Sequence, residues 1–307
     1  SETMDNVRIL DWRPLTQTYR QTQEMRLYYD LSGIDIDRYE INGKYTEVMI
    51  APREMNQAQI SENAKTWVNL HLVYTHGFGV VMSPVNSVTR EGMPNYLIKD
   101  IPPVYTVPDE NLRIDVPQLY YGEEDNDFVL VNTHTPEFDY PKGETNATTR
   151  YQGSGGLPIK NSFRKLLLAI QLKNMEIIFT RYLTLESRIM LYRSIQERVP
   201  KLAPFLKYDS DPYLVVSGGK LYWMLDAYTI TDHFPYSTPS KDGYNYIRNS
   251  VKITVDAYNG DVVFYIIDRK DPIIETYNKI FPDMFRDIDE MPADLRMHIR
   301  YPMYIFN

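Results

Sequence analysis

Residues 208–281 constrain this chain more than any other stretch. YLVVSGGKLYWMLDAYT turns about Gly218-Gly219, and SVKITVDAYNGDVVFYIID turns about Asn259-Gly260. Alternating apolar runs around such turns predict two β-hairpins, with strands near 212–217, 220–228, 247–257 and 261–267. Asp271 and Pro272 then start a helix that Pro282 stops, and a shorter helix is expected from Pro292. Asp-Ala-Tyr occurs at 226–228 and again at 256–258, and period-two alternation sends the Asp and Tyr of each copy to one sheet face.

Upstream, WRPLTQTYRQTQEM reads as a helix with Pro14 in its first turn. IDIDRYEI and KYTEVMI flank Asn42-Gly43, which predicts a hairpin with a type I′ turn. Ser61 is expected to cap a helix to about Tyr74, with Trp67, His71 and Tyr74 on one stripe and Gly77 and Gly79 beyond its end. From 85 to 156, prolines bar long regular elements, leaving short strands at 118–121 and 128–132. The polar stretch KGETNATTRYQGSGG is the candidate boundary between an N-terminal half, 1–156, and a C-terminal half, 157–307.

Beyond it, Ser162 is expected to cap a helix with Phe163, Leu166, Leu167 and Ile170 on one stripe, and Thr184 a second carrying Leu185, Ile189, Tyr192 and Val199. Core packing is the expected role of both stripes. For the first, the alternative is a helix lying on a membrane surface, since Arg164, Lys165 and Lys173 flank its apolar residues. Helix runs followed by hairpins, without βαβ alternation, indicate an α+β fold with antiparallel sheets, packed helices, and two halves joined by a loop-rich region.

Composition narrows the function classes. A net charge of -8, with Lys and Arg interspersed among acids, argues against nucleic acid as a partner. The absence of cysteine removes disulfides, thiolate metal sites and a cysteine nucleophile. No apolar run approaches the eighteen or so residues of a membrane helix. The 26 tyrosines suit strands, although such residues also line sugar and peptide sites.

No segment spells out a reaction. His71 and His76, with His134 and His233 as possible additions, are the candidate metal ligands. Their five-residue spacing departs from the i, i+4 pair of a zinc-protease helix, and the Glu after the first His is missing. Glu123, Glu124, Asp125 and Asp127 crowd one loop but lack the glycine and terminal Glu of a calcium-binding EF-hand, so a solvated acidic turn is expected. Asp209 and Asp211 are candidate acid and base if a cleft unites them. Asp226 and Asp256 would join them only by convergence in space. No GxSxG elbow or phosphate-binding loop occurs, and no cofactor is expected.

NVRILDWRPLTQTYRQTQEMRLYYD, NLHLVYTHGFGVVMSPVN, DIPPVY, VNTHTPEFDYP, YQGSGG, SRIMLYRSIQERVPKLAPFLKYDSDPYLV, YWMLDAYT and EMPADLRMHIRYP, in this order along nearly the whole chain, closely resemble uncharacterised protein family 0182. That family consists of large prokaryotic membrane proteins in which transmembrane helices precede a large extracytoplasmic region. The resemblance implies a piece of that outer region, held at the cell membrane on the extracytoplasmic side. Its expected partners are the membrane-embedded remainder of its own chain, an envelope protein or an envelope polymer. The turn Thr75-His76-Gly77-Phe78-Gly79 is characteristic of the family and is the first place to look for a site. In an exported domain the sequon at Asn146 becomes a candidate glycosylation site. The function expected is non-catalytic binding. The alternatives are an envelope hydrolase acting on glycan or peptide through His76 with Asp209 or Asp211, and a structural assembly module.

Overall fold

Two alternating blocks build the two larger sheets of an α+β fold. A computed structural model describes residues 3, 6–31, 33–124 and 126–306. In it Tyr213–Ser217, Lys220–Thr231, Tyr246–Asp256 and Val262–Ile266 pair antiparallel in sequence order. Gly218 and Gly219 both take the positive φ that the first hairpin's tight turn demands. Lys207–Tyr208 also pairs with Lys220–Thr231, and Phe285–Asp287 adds a parallel edge beside Val262–Ile266, so the four-stranded meander of the sequence reading is extended to six strands. Asp256 ends its strand and accepts hydrogen bonds from the backbone N–H groups of Tyr258 and Asn259. Tyr258 therefore lies past the strand, and the two Asp-Ala-Tyr copies are not equivalent.

The five-stranded sheet starts with the hairpin Asp35–Ile41 and Lys44–Pro52, whose turn residues Asn42 and Gly43 both have positive φ, as a type I′ turn requires. Val80–Pro84, Ile98–Lys99 and Val104–Tyr105 complete it. The largest core cluster unites Val48, Ile50, Val80 and Met82 of this sheet with Leu214, Trp223, Val251 and Ile253 of the other. Polar ties join the sheets as well: Leu214 N donates to Asp35 Oδ2 and Val216 N to Tyr39 Oη, each at 2.9 Å. Packing thus runs across the 156/157 boundary.

Helices occur where caps and apolar spacing agree. Asp11 caps Trp12–Gln23, which buries Leu15 and Tyr19. Asp271 caps Pro272–Ile280, and the carboxylate also accepts hydrogen bonds from Thr229, Tyr246 and Ser250. Ala293–Met297 follows Pro292 as expected.

Other expectations need correction. Ser61 makes no side-chain cap. A single 3-10 turn, Glu62–Ala64, is followed by a π-helical turn, Asn69–Val73, closed by Tyr74 N donating to Asn69 O. The expected helix cap at Ser162 is supplied by Asn161, whose side chain accepts from Arg164 N at 2.9 Å. No helix runs from Thr184. Thr184 and Ser187 hydroxyls both bind Asn132 O, and Ile189 enters the strand Arg188–Met190 between Val129–Val131 and Leu157–Pro158. The helix that carries Val199 is Ile195–Leu202, and a four-residue helix, Glu176–Phe179, precedes it. Part of the polar boundary stretch is a strand, Thr145–Thr149, paired with Glu137–Lys142.

Candidate functional site

The histidines are dispersed, and each is tied into its own surroundings. His71 Nδ1 lies 2.7 Å from Phe128 O, and its ring stacks on the Phe128 ring. His76 is fully buried. Its Nδ1 is 2.8 Å from Thr75 Oγ1, and its Nε2 is 3.3 Å from Asp139 Oδ1. Thr75 and Tyr120 both donate to Glu137 Oε2 at 2.7 Å, so one buried carboxylate gathers two hydroxyls beside the imidazole. Burial, the largest influence on His76, pulls its pKa down. The hydrogen bonds and charges of Asp139 and Glu137 together outweigh it and leave the value raised. Glu137 is shifted the other way: burial pushes it up, but its bonds to His76, Thr75 and Tyr120 bring it below the usual carboxylate range.

The neighbouring glycines are fixed by packing. A Cβ on Gly77 would lie 2.1 Å from Arg53 O, and Gly79 has φ +68. His134 is exposed, and so is His233, which pairs with Asp232. Among the described residues, no three His, Asp or Glu side chains are grouped as a metal ligand set.

The candidate acid and base, Asp209 and Asp211, are brought together. Both line a surface cleft of about 850 Å³ with Asp242, Tyr244 and Tyr304, and His76 is not among its lining residues. Asp209 Oδ2 accepts from Tyr228 Oη at 3.0 Å, and burial raises the Asp211 pKa. Asp226 is buried against Lys252. Asp256 holds its turn. Glu123 and Glu124 do not form the solvated turn that was expected. Their backbone N–H groups, each 3.1 Å away, bind the buried Glu54 carboxylate, and burial raises Glu54 to about 7, Glu123 to about 9 and Glu124 to about 7. Asp127 accepts from its neighbour Phe128 N, and Asp125 lies outside the described residues. Asn146 is exposed on its strand.

Sequence reasoning missed His298, Asp37, Arg53 and Arg193. His298 Nδ1 lies 2.7 Å from Asp37 Oδ2, both side chains are buried, and no directed hydrogen bond joins them. Period-two alternation in IDIDRYEI is the signal that could have found Asp37, because it puts Asp37 on the inward face with Asp35 and Tyr39. Arg193 is buried and spends its guanidinium on the carbonyls of Thr75, Tyr120 and Asp127, and Arg53 does the same with Gln23 O. These cations hold loops together.

The arrangement least explained by folding alone is the helix Ser162–Gln171. Its inward face, Leu168 and Ala169, closes a core of Phe128, Leu130, Ile159, Ile177 and Ile189. Lys165 Nζ also turns inward, to Ile178 O. The chain leaves the helix through Lys173 at φ +51, with Asn174 N returning to Ala169 O, and Asn174 Oδ1 accepts from Trp67 Nε1 at 3.1 Å. Anchored at both ends, the helix presents the stripe expected to be core to solvent: Phe163, Leu166, Leu167 and Ile170 are 69%, 43%, 50% and 61% exposed. Phe179 and Leu185, on the segments that follow, are 74% and 87% exposed. At 100° per residue the stripe lies opposite Leu168 and Ala169, so burying one face necessarily exposes the other.

The model of an uncharacterised protein family, UPF0182, matches residues 1–307. A UPF0182 protein of Desulforamulus reducens is 56% identical over 99% of this chain and 32% of its own length. One from Pelotomaculum thermopropionicum is 53% identical over 99% and 33%, and one from Methanospirillum hungatei 49% over 99% and 34%. The chain therefore spans about a third of the curated relatives it matches. No solved structure matches it. Matched from end to end by the family model and at about half identity by these relatives, the chain belongs to the uncharacterised protein family UPF0182.

Proposed function

We propose that this chain is a non-catalytic extracytoplasmic domain of a membrane protein and that it works by docking against the membrane region of the protein to which it belongs. The observation that carries this reading is the outward stripe Phe163, Leu166, Leu167 and Ile170, on a helix whose other face is already packed. A helix apolar on two opposite faces needs a second apolar partner. Removing the four half-exposed side chains from water is worth roughly 4 kcal/mol, enough to help hold a domain that a covalent tether keeps close. No helix among the described residues is long and apolar enough to cross a membrane, so in this reading the membrane region is supplied by the rest of the longer protein. An envelope hydrolase is the second reading, and the cleft holding Asp209 and Asp211 is what favours it. Against it, His76 is sealed within its carboxylates.

Two single-cysteine variants of the full-length protein, in a cysteine-free background, test the reading with a membrane-impermeant maleimide. Glu144→Cys, in an exposed turn, is expected to label in intact cells. Ile170→Cys is expected to label in the isolated 307-residue chain and to be protected in the full-length protein. Glu144→Cys labelling only after lysis would refute the extracytoplasmic placement, and equal labelling of Ile170→Cys in both forms would refute docking.

A further inference from the structure

We infer that the surface met by the Ser162–Gln171 helix is the lipid bilayer itself, and that the ligands of this face are anionic headgroups with the acyl boundary beneath them. The inference rests on the reading above that this helix docks at the membrane, and it gives the apolar stripe to the lipid that surrounds the protein's membrane region. Charge decides between a lipid surface and an apolar protein groove. Lys160, Arg164 and Lys173 flank the apolar stripe along the helix, Arg181 lies in sequence between the exposed Phe179 and Leu185, and all four are exposed. None of the four forms an ion pair among the described residues; the Arg164 guanidinium donates to the carbonyl of Pro158, at 2.8 Å. Between 160 and 185 there are five basic residues and one acidic, in a chain carrying 33 Lys and Arg against 41 Asp and Glu. Unspent positive charge is therefore gathered where the apolar side chains stand out.

The geometry suits a helix lying in the plane of an interface. Ten residues span about 15 Å, with Phe163 near one end and Ile170 near the other. Arg164 is about 100° around the helix from Phe163, at the edge of the apolar face, where a long side chain can reach up to phosphates while its stem stays among acyl chains. Lys173 stands just past the helix end, and Lys160 just before its start. A protein groove would accept the apolar stripe but would leave this basic rim unanswered. An anionic bilayer answers both.

Co-sedimentation of the 307-residue chain with vesicles tests the assignment. Binding is expected to vesicles in which roughly a third of the phosphatidylcholine is replaced by phosphatidylglycerol, and little to phosphatidylcholine alone. Each basic residue removed is expected to weaken binding about fivefold, so Arg164→Glu with Lys173→Glu costs about 25-fold or more. Phe163→Ser with Ile170→Ser is expected to cost at least about tenfold, and added salt weakens the wild type. All four positions face solvent, so circular dichroism and the melting transition stay as in the wild type.

Equal binding to neutral and anionic vesicles overturns the proposal, and so does binding unaffected by both double variants. Failure to bind either vesicle overturns it too. If the chain then sediments as a dimer that the apolar variants dissociate, a second copy covers the face. Absent vesicle binding with Ile170→Cys still protected in cells removes the lipid assignment and leaves the docking reading standing. Ile170→Cys freely labelled in cells removes both.

Discussion

His76, the candidate reactive residue of the sequence, is buried and hydrogen-bonded to Thr75 and Asp139. A histidine followed by Gly-Phe-Gly invites a catalytic reading, but the three-dimensional cause of that turn is packing: Gly77 touches Arg53–Met55 backbone, and Arg193 binds Thr75 O at 2.6 Å. Below the ordinary imidazole pKa, removing the ring would leave Glu137 buried without its cationic neighbour, so at pH 5 His76→Ala is expected to destabilise the chain by about 3 kcal/mol, read as a lower urea midpoint at unchanged slope. The interaction also carries a pH signature. A histidine whose folded pKa is raised stabilises fully below its ordinary value and loses that contribution as pH climbs through the folded value. Glu137, shifted down, contributes above its ordinary value and loses it as pH falls through the folded one. Wild type and His76→Gln should therefore differ most in stability near pH 5 to 6 and converge in alkali. A His76→Ala chain of wild-type stability that had lost a function of the full-length protein would return His76 to the list of reactive residues.

At the scale of elements, what was legible depended on whether a local signal had a unique answer. The hairpins about Gly218-Gly219 and Asn42-Gly43 were legible because their turn residues accept positive φ and because alternation fixes which side chains share a face. Between 157 and 202 the same kind of reading failed for two physical reasons. Leu185, Ile189 and Tyr192 keep a helical spacing, yet Ile189 pairs with Leu130 and Leu157 in a sheet, contacts between distant residues that no short window contains. The Ser162 stripe was read correctly as a helix face and assigned to the wrong side, because periodicity reports that apolar residues align and cannot report which face meets the core. Leu168 and Ala169 are the buried ones. Two substitutions one residue apart expose the difference. Leu168→Ala is expected to cost about 2–5 kcal/mol, and Leu167→Lys within about 0.5 kcal/mol of nothing; chemical denaturation of both reads the orientation directly. Comparable losses at 167 and 168 would mean that the outer face is packed in the isolated chain.

At the scale of the whole molecule, the unusual feature is acid buried where folding needs it neutral. Asp35 sits between the two large sheets, and burial lifts it to about 7 despite Arg300 nearby. Glu123 rises further, to about 9, through burial and then the charges of Glu54, Asp35 and Asp211. Composition gave no hint of this, since a net charge of -8 says how many acids there are and nothing about which are desolvated. Such carboxyls hold protons more tightly folded than unfolded. Their contribution is complete below the ordinary carboxyl range and is lost as pH rises through the folded values, the reverse of a salt-bridged acid. His76 adds a loss in the same direction, and Glu137 and Asp271, both lowered, set the opposing loss in acid. The melting temperature is therefore expected to peak near pH 4 to 5, in the ordinary carboxyl range, and to decline steadily toward pH 9. Glu123→Gln, which keeps the shape and removes the proton equilibrium, should flatten that decline and stabilise the chain at pH 8 by at least about 1 kcal/mol, with little change at pH 5. Calorimetric melts of both proteins across this range decide it. A wild-type melting temperature that is level from pH 5 to 9, or a Glu123→Gln chain that is weaker at pH 8, would show that these acids are hydrated and charged in the folded state, and that the interior between the sheets is wetter than its packing indicates.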